Sequence, residues 1–273
     1  MIELLDKAPE DKDKFFNISV SKIKTFQDCK LKYKFCYIDK LPRQDRDFHI
    51  FGKFVHEILE NFHKELLENP HFDIKKLMGT CFNNSSKKWL VTLDQKKEAH
   101  SILTQYLSKF ADTVKASKEA KVLGLEKQFI VNIDNKVLLN GFIDKYQQDK
   151  DDIHHVIDYK TTKDKKYLKD FFQLMTYAFV VFLENPELNK IRTSYLLLRH
   201  DCSSLEKEFG DKDVASIKDK YLQYADEMLE ERLFRPSPSK MCSYCDYLPK
   251  CNVGKEFLKP KDFEIPWSGK TDF

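Results

Sequence analysis

Val137-Leu138-Leu139-Asn140-Gly141-Phe142-Ile143-Asp144 and, shortly after it, Val156-Ile157-Asp158-Tyr159-Lys160 decide how this chain folds. Both stretches are apolar runs that end on charged residues, and from Val122 onward the pattern changes from helical to alternating. Strands are expected at 124–133, 137–148 and 153–161. Asp134-Asn135 and Gln148 to Asp152 supply the turns, which makes an antiparallel meander. Working outward, Tyr167 to Glu184 is apolar on nearly every side and reads as a buried helix over the sheet, ended by Asn185-Pro186. Strands follow at Ile191 to Arg199 and Leu205 to Phe209, then a charged helix from Val214 to Leu233, stopped by Pro236 and Pro238.

Upstream, residues 1–18 are polar and expected to be flexible. Ser19 or Ser21 can cap a helix through Ile23, Phe26 and Leu31, with Cys29 inside it. Val55, Ile58, Leu59, Phe62 and Leu66 recur at helical steps; Gly52 marks the start of that helix, and His56 lies at the edge of its apolar face. Two or three further helices are expected within 72–120, with Trp89, Leu90, Ile102, Leu103, Tyr106, Leu107 and Phe110 as core candidates. The expected division is a flexible 1–18, a helical subdomain 19–120, a core 121–210, a C-terminal helix and cysteine segment 211–254, and a tail 255–273, either disordered or a docking peptide.

Asp144, toward the end of one expected strand, and Asp158, on the next, can be brought together on one face by the turn between them, and Lys160, two residues on, shares a face with Asp158. Hard divalent cations take oxygen ligands, and such an ion polarises a phosphoryl oxygen and lowers the pKa of an attacking water. An ammonium beside it can orient that water or offset charge on the phosphate. The triplet Asp158-Tyr159-Lys160 is common by chance, and a solvated cross-strand pair is the plain alternative. The apolar flanks count against it, because buried charges are costly unless they are used.

The 273 residues, 41% of them apolar, suffice for a globular core. The start of the chain shows no apolar run or cleavage site, and the most apolar stretch, Phe171 to Leu183, is too short to span a bilayer; we expect a cytoplasmic protein with no membrane partner. Net charge is only +3, yet Lys22 to Lys53 holds nine Lys or Arg against four Asp, interleaved with aromatic residues. That stretch can grip phosphates and stack bases, or be an amphipathic helix with solvated lysines. No repeat and no glycine-rich phosphate loop is present.

Seven cysteines, an odd number, argue against a disulfide framework in a reducing compartment. Cys242-x2-Cys245-x5-Cys251 lets three thiolates converge, with Pro249 restricting the loop. A fourth must come from elsewhere. Cys29 supplies it if the N-terminal helix meets the C-terminal segment, and Cys36, seven residues on, is a rival. Spacing does not separate Zn²⁺ from an iron–sulfur cluster. Cys81 and Cys202 fit no motif and read as structural.

Taken in order, Gly52-x3-His56-x2-Leu59-Glu60, Gly141-Phe142-Ile143-Asp144, Asp158-Tyr159-Lys160, Gln173-x3-Tyr177 and the split cysteine set resemble the RecB-like branch of the PD-(D/E)xK nucleases. Within it the likeness is to the iron–sulfur exonuclease of CRISPR adaptation, also found in phages, and to the nuclease domain of AddB-type helicase–nucleases. It covers roughly residues 19–254. The resemblance implies an α/β fold with a restriction-endonuclease-like core, a central mixed sheet flanked by helices. An N-terminal helical subdomain and a four-cysteine cluster joining the termini complete it.

It also implies that Asp144 and Asp158 are carboxylate ligands of Mg²⁺ or Mn²⁺, joined by His56 and the Tyr159 carbonyl, with Lys160 as the catalytic lysine. Gln173 and Tyr177, one helical turn apart, would brace the site, and Glu126 would assist through water. Cys29, Cys242, Cys245 and Cys251 would hold a [4Fe-4S] cluster, with [2Fe-2S] or Zn²⁺ as fallbacks. The family often has Glu where Asp158 stands, which would shift the metal. The implied activity is exonucleolytic cleavage of single-stranded DNA or DNA ends, 5′→3′, in CRISPR adaptation, phage recombination or repair, in a bacterial or phage-infected cell, beside a helicase or integrase-type partner. The competing reading is a catalytically silent DNA-end-binding adaptor.

Overall fold

A computed structural model describes residues 1–43, 46–109, 120–149, 152–168 and 170–259. The chain forms two compact units, one of Met1–Ile23 with Asp45–Glu230, the other of Lys24–Gln44 with Glu231–Phe273.

The larger unit is built on a mixed sheet of β1 (Ile2–Leu5), β2 (Phe16–Ile18), β3 (Lys121–Ile133), β4 (Val137–Gln148), β5 (His154–Lys160), β6 (Lys190–Leu197) and β7 (Ser203–Gly210). Its order is β1-β3-β4-β5-β6-β7, with β2 beside β4. The expected meander is β3-β4-β5, antiparallel throughout. β6 then returns parallel to β5, which requires a crossover, and β7 pairs antiparallel with β6. Among the described residues the α-helices are α1 (Val20–Asp28), α2 (Lys30–Tyr33), α3 (Asp47–Glu68), α4 (Ile74–Lys88), α5 (Leu93–Lys109), α6 (Phe172–Glu184), α7 (Asp211–Val214), α8 (Ile217–Glu230) and α9 (Asn252–Leu258). The crossover from β5 to β6 is α6.

Successive side chains of a strand face opposite ways. Asp158 meets α6, while Tyr159 packs with the α3, α4 and α5 core of Phe51, Phe54, Val55, Ile58, Leu103 and Tyr106. Both faces of β5 are therefore covered by helix, which is why Val156-Ile157 and the end of β6, Tyr195-Leu196-Leu197, read as continuous apolar runs.

The structure departs from expectation in several places. Residues 1–18 are not loose throughout: β1 pairs with β3 and β2 with β4, and Ile18 is fully buried. Three- and four-residue strands carry too little period to be read, yet they satisfy ladder groups that β3 and β4 would otherwise leave open. Gly52 does not start a helix; α3 begins at Asp47. A Cβ at Gly52 would stand 3.2 Å from Thr161 Oγ1, so glycine lets α3 approach the end of β5. The helix through Cys29 is interrupted there, as the residue is extended (φ −164°, ψ 111°). Helix α6 starts at Phe172, whose N–H donates to Asp170 Oδ1 at 2.8 Å. Helix α8 ends at Glu230, short of Leu233, because the Glu231 carboxylate takes the Leu233 and Phe234 N–H groups and Phe234 turns left-handed (φ 44°). Leu90 is exposed at the α4–α5 turn rather than in the core. Phe110 and residues 260–273 of the expected tail lie outside the described residues.

Gly141 has a different reason from Gly52. A Cβ there would come within 2.5 Å of Phe129 Cζ, and Phe129 is buried edge-on against Tyr177. Gly141→Ala is therefore expected to displace that ring and to cost about 1–3 kcal/mol in urea unfolding. An unchanged midpoint would show that Phe129 yields freely.

Candidate active site

The site begins where two strands part. The β4–β5 ladder runs from Gln148↔His154 to Lys145↔Ile157 and stops. Two residues further along β5 the backbone donor of Tyr159 needs an acceptor, and it finds Asp144 Oδ2 at 2.7 Å. Asp144 thus closes the ladder with its side chain and holds the strand ends apart. Beside it on β3, Glu126 is in the left-handed region (φ 45°), an uncommon state for a residue with a Cβ and one found where function over-determines the backbone. From α3 comes His56, Nδ1 3.6 Å from Asp144 Oδ2. Ligand atoms of His56, Glu126 and Asp144 all lie within 4.8 Å of one another.

Asp158, 2% exposed, is not one of these three, although its charge reaches both Asp144 and His56; Glu126 stands in the trio where the sequence led us to expect Asp158. Asp158 Oδ2 pairs with Lys160 Nζ at 2.6 Å, and its Oδ1 accepts from Gln173 Nε2 at 3.0 Å and Tyr177 OH at 3.2 Å. Gln173 Oε1 in turn accepts from Lys160 Nζ at 3.0 Å, and Gln173 Nε2 also donates to Tyr177 OH at 2.6 Å. An amide with a cation on its oxygen side and a carboxylate on its nitrogen side can point only one way. Gln173 and Tyr177, adjacent turns of α6, therefore fix both Asp158 and Lys160.

Charge is crowded here. Burial, then the neighbouring Asp158, pushes the Asp144 carboxyl well above the usual carboxylate range. Burial, then Asp144, pushes Glu126 up to about 7. Burial pulls His56 down, outweighing the attraction of Asp158 and Glu126. Two carboxylates and an imidazole within 4.8 Å of one another, with Asp158 in electrostatic reach, are the oxygen- and nitrogen-rich donor set that a hard divalent cation relieves of its mutual repulsion. The residues fit such an ion.

Glu126, raised to about 7, is partly protonated near neutral pH and must release that proton to ligate, and Asp144 is shifted in the same direction. Mn²⁺ affinity should rise with pH through about 7, with protons expelled on binding. Calorimetry in two buffers of different ionisation enthalpy checks this; a buffer-independent heat would contradict it.

Behind Tyr159 sits a buried support absent from the sequence reading. The Tyr159 ring packs edge-on to Tyr106 and to His56, and Tyr106 OH bonds His63 Nε2 at 2.8 Å. Arg199, after β6, donates to Thr161 O at 2.6 Å and, from Nε and Nη2, to Glu98 of α5 at 2.7 and 3.0 Å, with its guanidinium 4.2 Å from the Phe51 ring centre. Residues a hundred positions apart share no local pattern, so only the fold discloses the pair.

The cysteines of the smaller unit are all thiols. Cys29, at its helix break, accepts from Ser237 N at 3.5 Å; Cys242 accepts from Ser239 N at 3.4 Å and Cys251 from Gly254 N at 3.3 Å. A Cβ at Gly254 would lie 3.3 Å from Cys251 Sγ and 3.6 Å from Cys242 Sγ. Burial raises the Cys245 thiol, and Cys29 is among the charges that add to this. Cys36 is engaged elsewhere: Arg43 Nε stands 3.0 Å from its sulfur, Arg43 Nη2 also contacts it, and it neighbours Tyr247. With the helix broken at Cys29, the two cysteines do not share a face as the spacing suggested.

Residues 17–252 match the family model of the PD-(D/E)XK nuclease superfamily. Among curated proteins, the chain is 25% identical over 171 residues to the B-type subunit of an ATP-dependent helicase/deoxyribonuclease from Streptococcus pyogenes serotype M6, and 24% identical to that of serotype M12. These alignments cover 59% of this chain but 16% of each relative, so the chain matches a small part of their length. Among solved structures, a "putative exonuclease" of Eubacterium rectale aligns at 12% identity and TM-score 0.48, covering 86% of this chain and 88% of that one.

Proposed function

This chain belongs to the PD-(D/E)XK nuclease superfamily, and on that premise we propose that it is a Mg²⁺- or Mn²⁺-dependent deoxyribonuclease acting on single-stranded DNA or DNA ends. The observation that supports the proposal most is the end of β5, where the Tyr159 N–H donates to Asp144, Lys160 pairs with Asp158, and the charges of Asp158 and Lys160 act on Asp144. Asp144, Asp158 and His56 would hold the ion with the Tyr159 carbonyl, and Glu126, in the same trio as His56 and Asp144, is a further donor. A bound divalent cation polarises the scissile phosphate and acidifies water. Lys160 places its ammonium beside Asp158, where it can hold a water or a phosphate oxygen. Gln173 and Tyr177 keep both side chains in register.

Exonucleolytic action, 5′→3′ polarity and a role in CRISPR adaptation, phage recombination or repair are the finer parts of the reading. A helicase-type partner is supported by the names of the Streptococcus relatives. Labelled single strands incubated with and without EDTA test the activity. EDTA-sensitive cleavage is expected, and binding of ends without cleavage would leave the adaptor reading in its place. Among the described residues no helix is long and apolar enough to cross a membrane.

The cysteines support a second metal body, [4Fe-4S] in this reading, with [2Fe-2S] or Zn²⁺ as the fallbacks. Backbone N–H groups aimed at Cys29, Cys242 and Cys251 stabilise thiolates as they do around such clusters. After anaerobic purification, Cys29→Ser should lose iron and visible absorption while Cys36→Ser keeps both. The reverse outcome would make Cys36 the fourth ligand.

A further inference from the structure

Lys160 has a third neighbour that no motif names. In the parallel β5–β6 ladder Asp158 stands opposite Tyr195, and Lys160 Nζ lies 5.1 Å from the centre of the Tyr195 ring. An ammonium at that distance from an aromatic face is held by the ring quadrupole, more strongly where water is excluded. Tyr195 is 2% exposed and the Lys160 side chain 23%, so the ring side of this contact is shielded from water.

The ring itself is fixed. Its hydroxyl donates to Asp170 O at 3.1 Å, and its far surroundings include Phe171, stacked at 6.1 Å and 17°. Asp170 and Phe171 immediately precede α6, the helix that delivers Gln173 to Lys160. One side chain therefore both contacts the lysine and pins the start of the element that supplies its hydrogen-bond partner.

The contact has a purpose that the ion pair cannot serve alone. Asp158 Oδ2 is the shortest anchor of Lys160, but the proposed function gives that carboxylate to a cation. What then keeps the ammonium in place is Gln173 Oε1 and the aromatic face. Neither competes for a metal. We propose that Tyr195 is a positioning residue for Lys160, holding its ammonium over the ring independently of Asp158. The inference rests on the proposed nuclease reading for its kinetic consequence, though not for the contact itself.

The test uses the full chain and two variants. Tyr195→Phe keeps the face and loses the bond to Asp170; Tyr195→Leu loses the face. For cleavage of a labelled single strand, Tyr195→Leu should lower kcat by about 3- to 30-fold with KM little changed, the range expected from a cation–π contact of about 0.5–2 kcal/mol. Tyr195→Phe should stay within about threefold of the parent. In a Lys160→Ala background, Tyr195→Leu should cost nothing further, because the group it positions is gone. The same loss in both backgrounds, or a Phe variant as impaired as Leu, would overturn the proposal and make Tyr195 a packing residue.

A second readout is independent of activity. The Lys160 ε-methylene protons, identified by their absence in Lys160→Ala, should be shifted upfield by the ring in the parent and in Tyr195→Phe, with or without Mg²⁺. Unshifted resonances in the folded parent would overturn the proposal even if Tyr195→Leu fails to fold or the Lys160→Ala rate is beneath detection. Upfield-shifted protons in a parent that shows no EDTA-sensitive cleavage would instead uphold the contact and reject the nuclease reading.

Discussion

Lys160→Ala is expected to lower the rate of DNA cleavage by about 10²- to 10³-fold, the size of effect seen when one preorganised donor to developing charge is removed. The protein should remain folded and bind Mn²⁺ with near-parental affinity, since Asp158 keeps its hydrogen bonds from Gln173 and Tyr177. Loss of the ammonium leaves Asp158 Oδ2 without its ion pair, but that oxygen is the one assigned to the metal. Single-turnover cleavage with saturating Mg²⁺, beside a Mn²⁺ titration, separates the two effects. Equal rates for parent and variant would remove Lys160 from the chemistry.

Asp144 should give the largest loss of metal. Both Asp144→Ala and Asp144→Asn are expected to weaken Mn²⁺ by roughly 100-fold or more, as a lost ligand must cost at least what loss of its supporting partners does. The two differ in stability. Alanine orphans the Tyr159 N–H, a cost of about 1–3 kcal/mol, whereas asparagine can still accept from it. Asparagine also removes a buried charge. The Asp144 carboxyl is raised in the folded state, so the metal-free parent loses stability as pH rises through that value, and Asn escapes the loss. Thermal unfolding in EDTA should therefore rank Asn at or above the parent and Ala beneath both, with the Asn advantage growing as pH rises from the usual carboxylate range toward the raised one and levelling off above it. An Ala variant as stable as Asn would mean that Asp144 does not close the ladder.

Much of this was legible before the fold was known, for physical reasons. The strands of the meander carry long apolar runs, and Asp158, Tyr159 and Lys160 are fixed on alternate faces by strand geometry alone. Gln173 and Tyr177 are one turn apart on a helix apolar enough to identify. What could not be read depends on distance along the chain. Arg199 and Glu98, Tyr106 and His63, and the docking of β1 and β2 are pairings without local period. Cys29 shows the limit from the other side: the sequence offers a continuous helix, and only the folded unit reveals the break that turns its sulfur toward Ser237. Glu126 is hard to place from sequence because its position beside Asp144 comes with a left-handed backbone that no propensity predicts.

All of the proposed chemistry rests on one cation held at the fork of β4 and β5. A crystal soaked in Mn²⁺ and measured at the manganese absorption edge tests that directly. A single strong anomalous peak is predicted within bonding distance of Asp144, Asp158 and the Tyr159 carbonyl, with His56 or Glu126 completing the shell. A fully soaked crystal with no peak there, or with manganese bound only at surface carboxylates, would contradict the account.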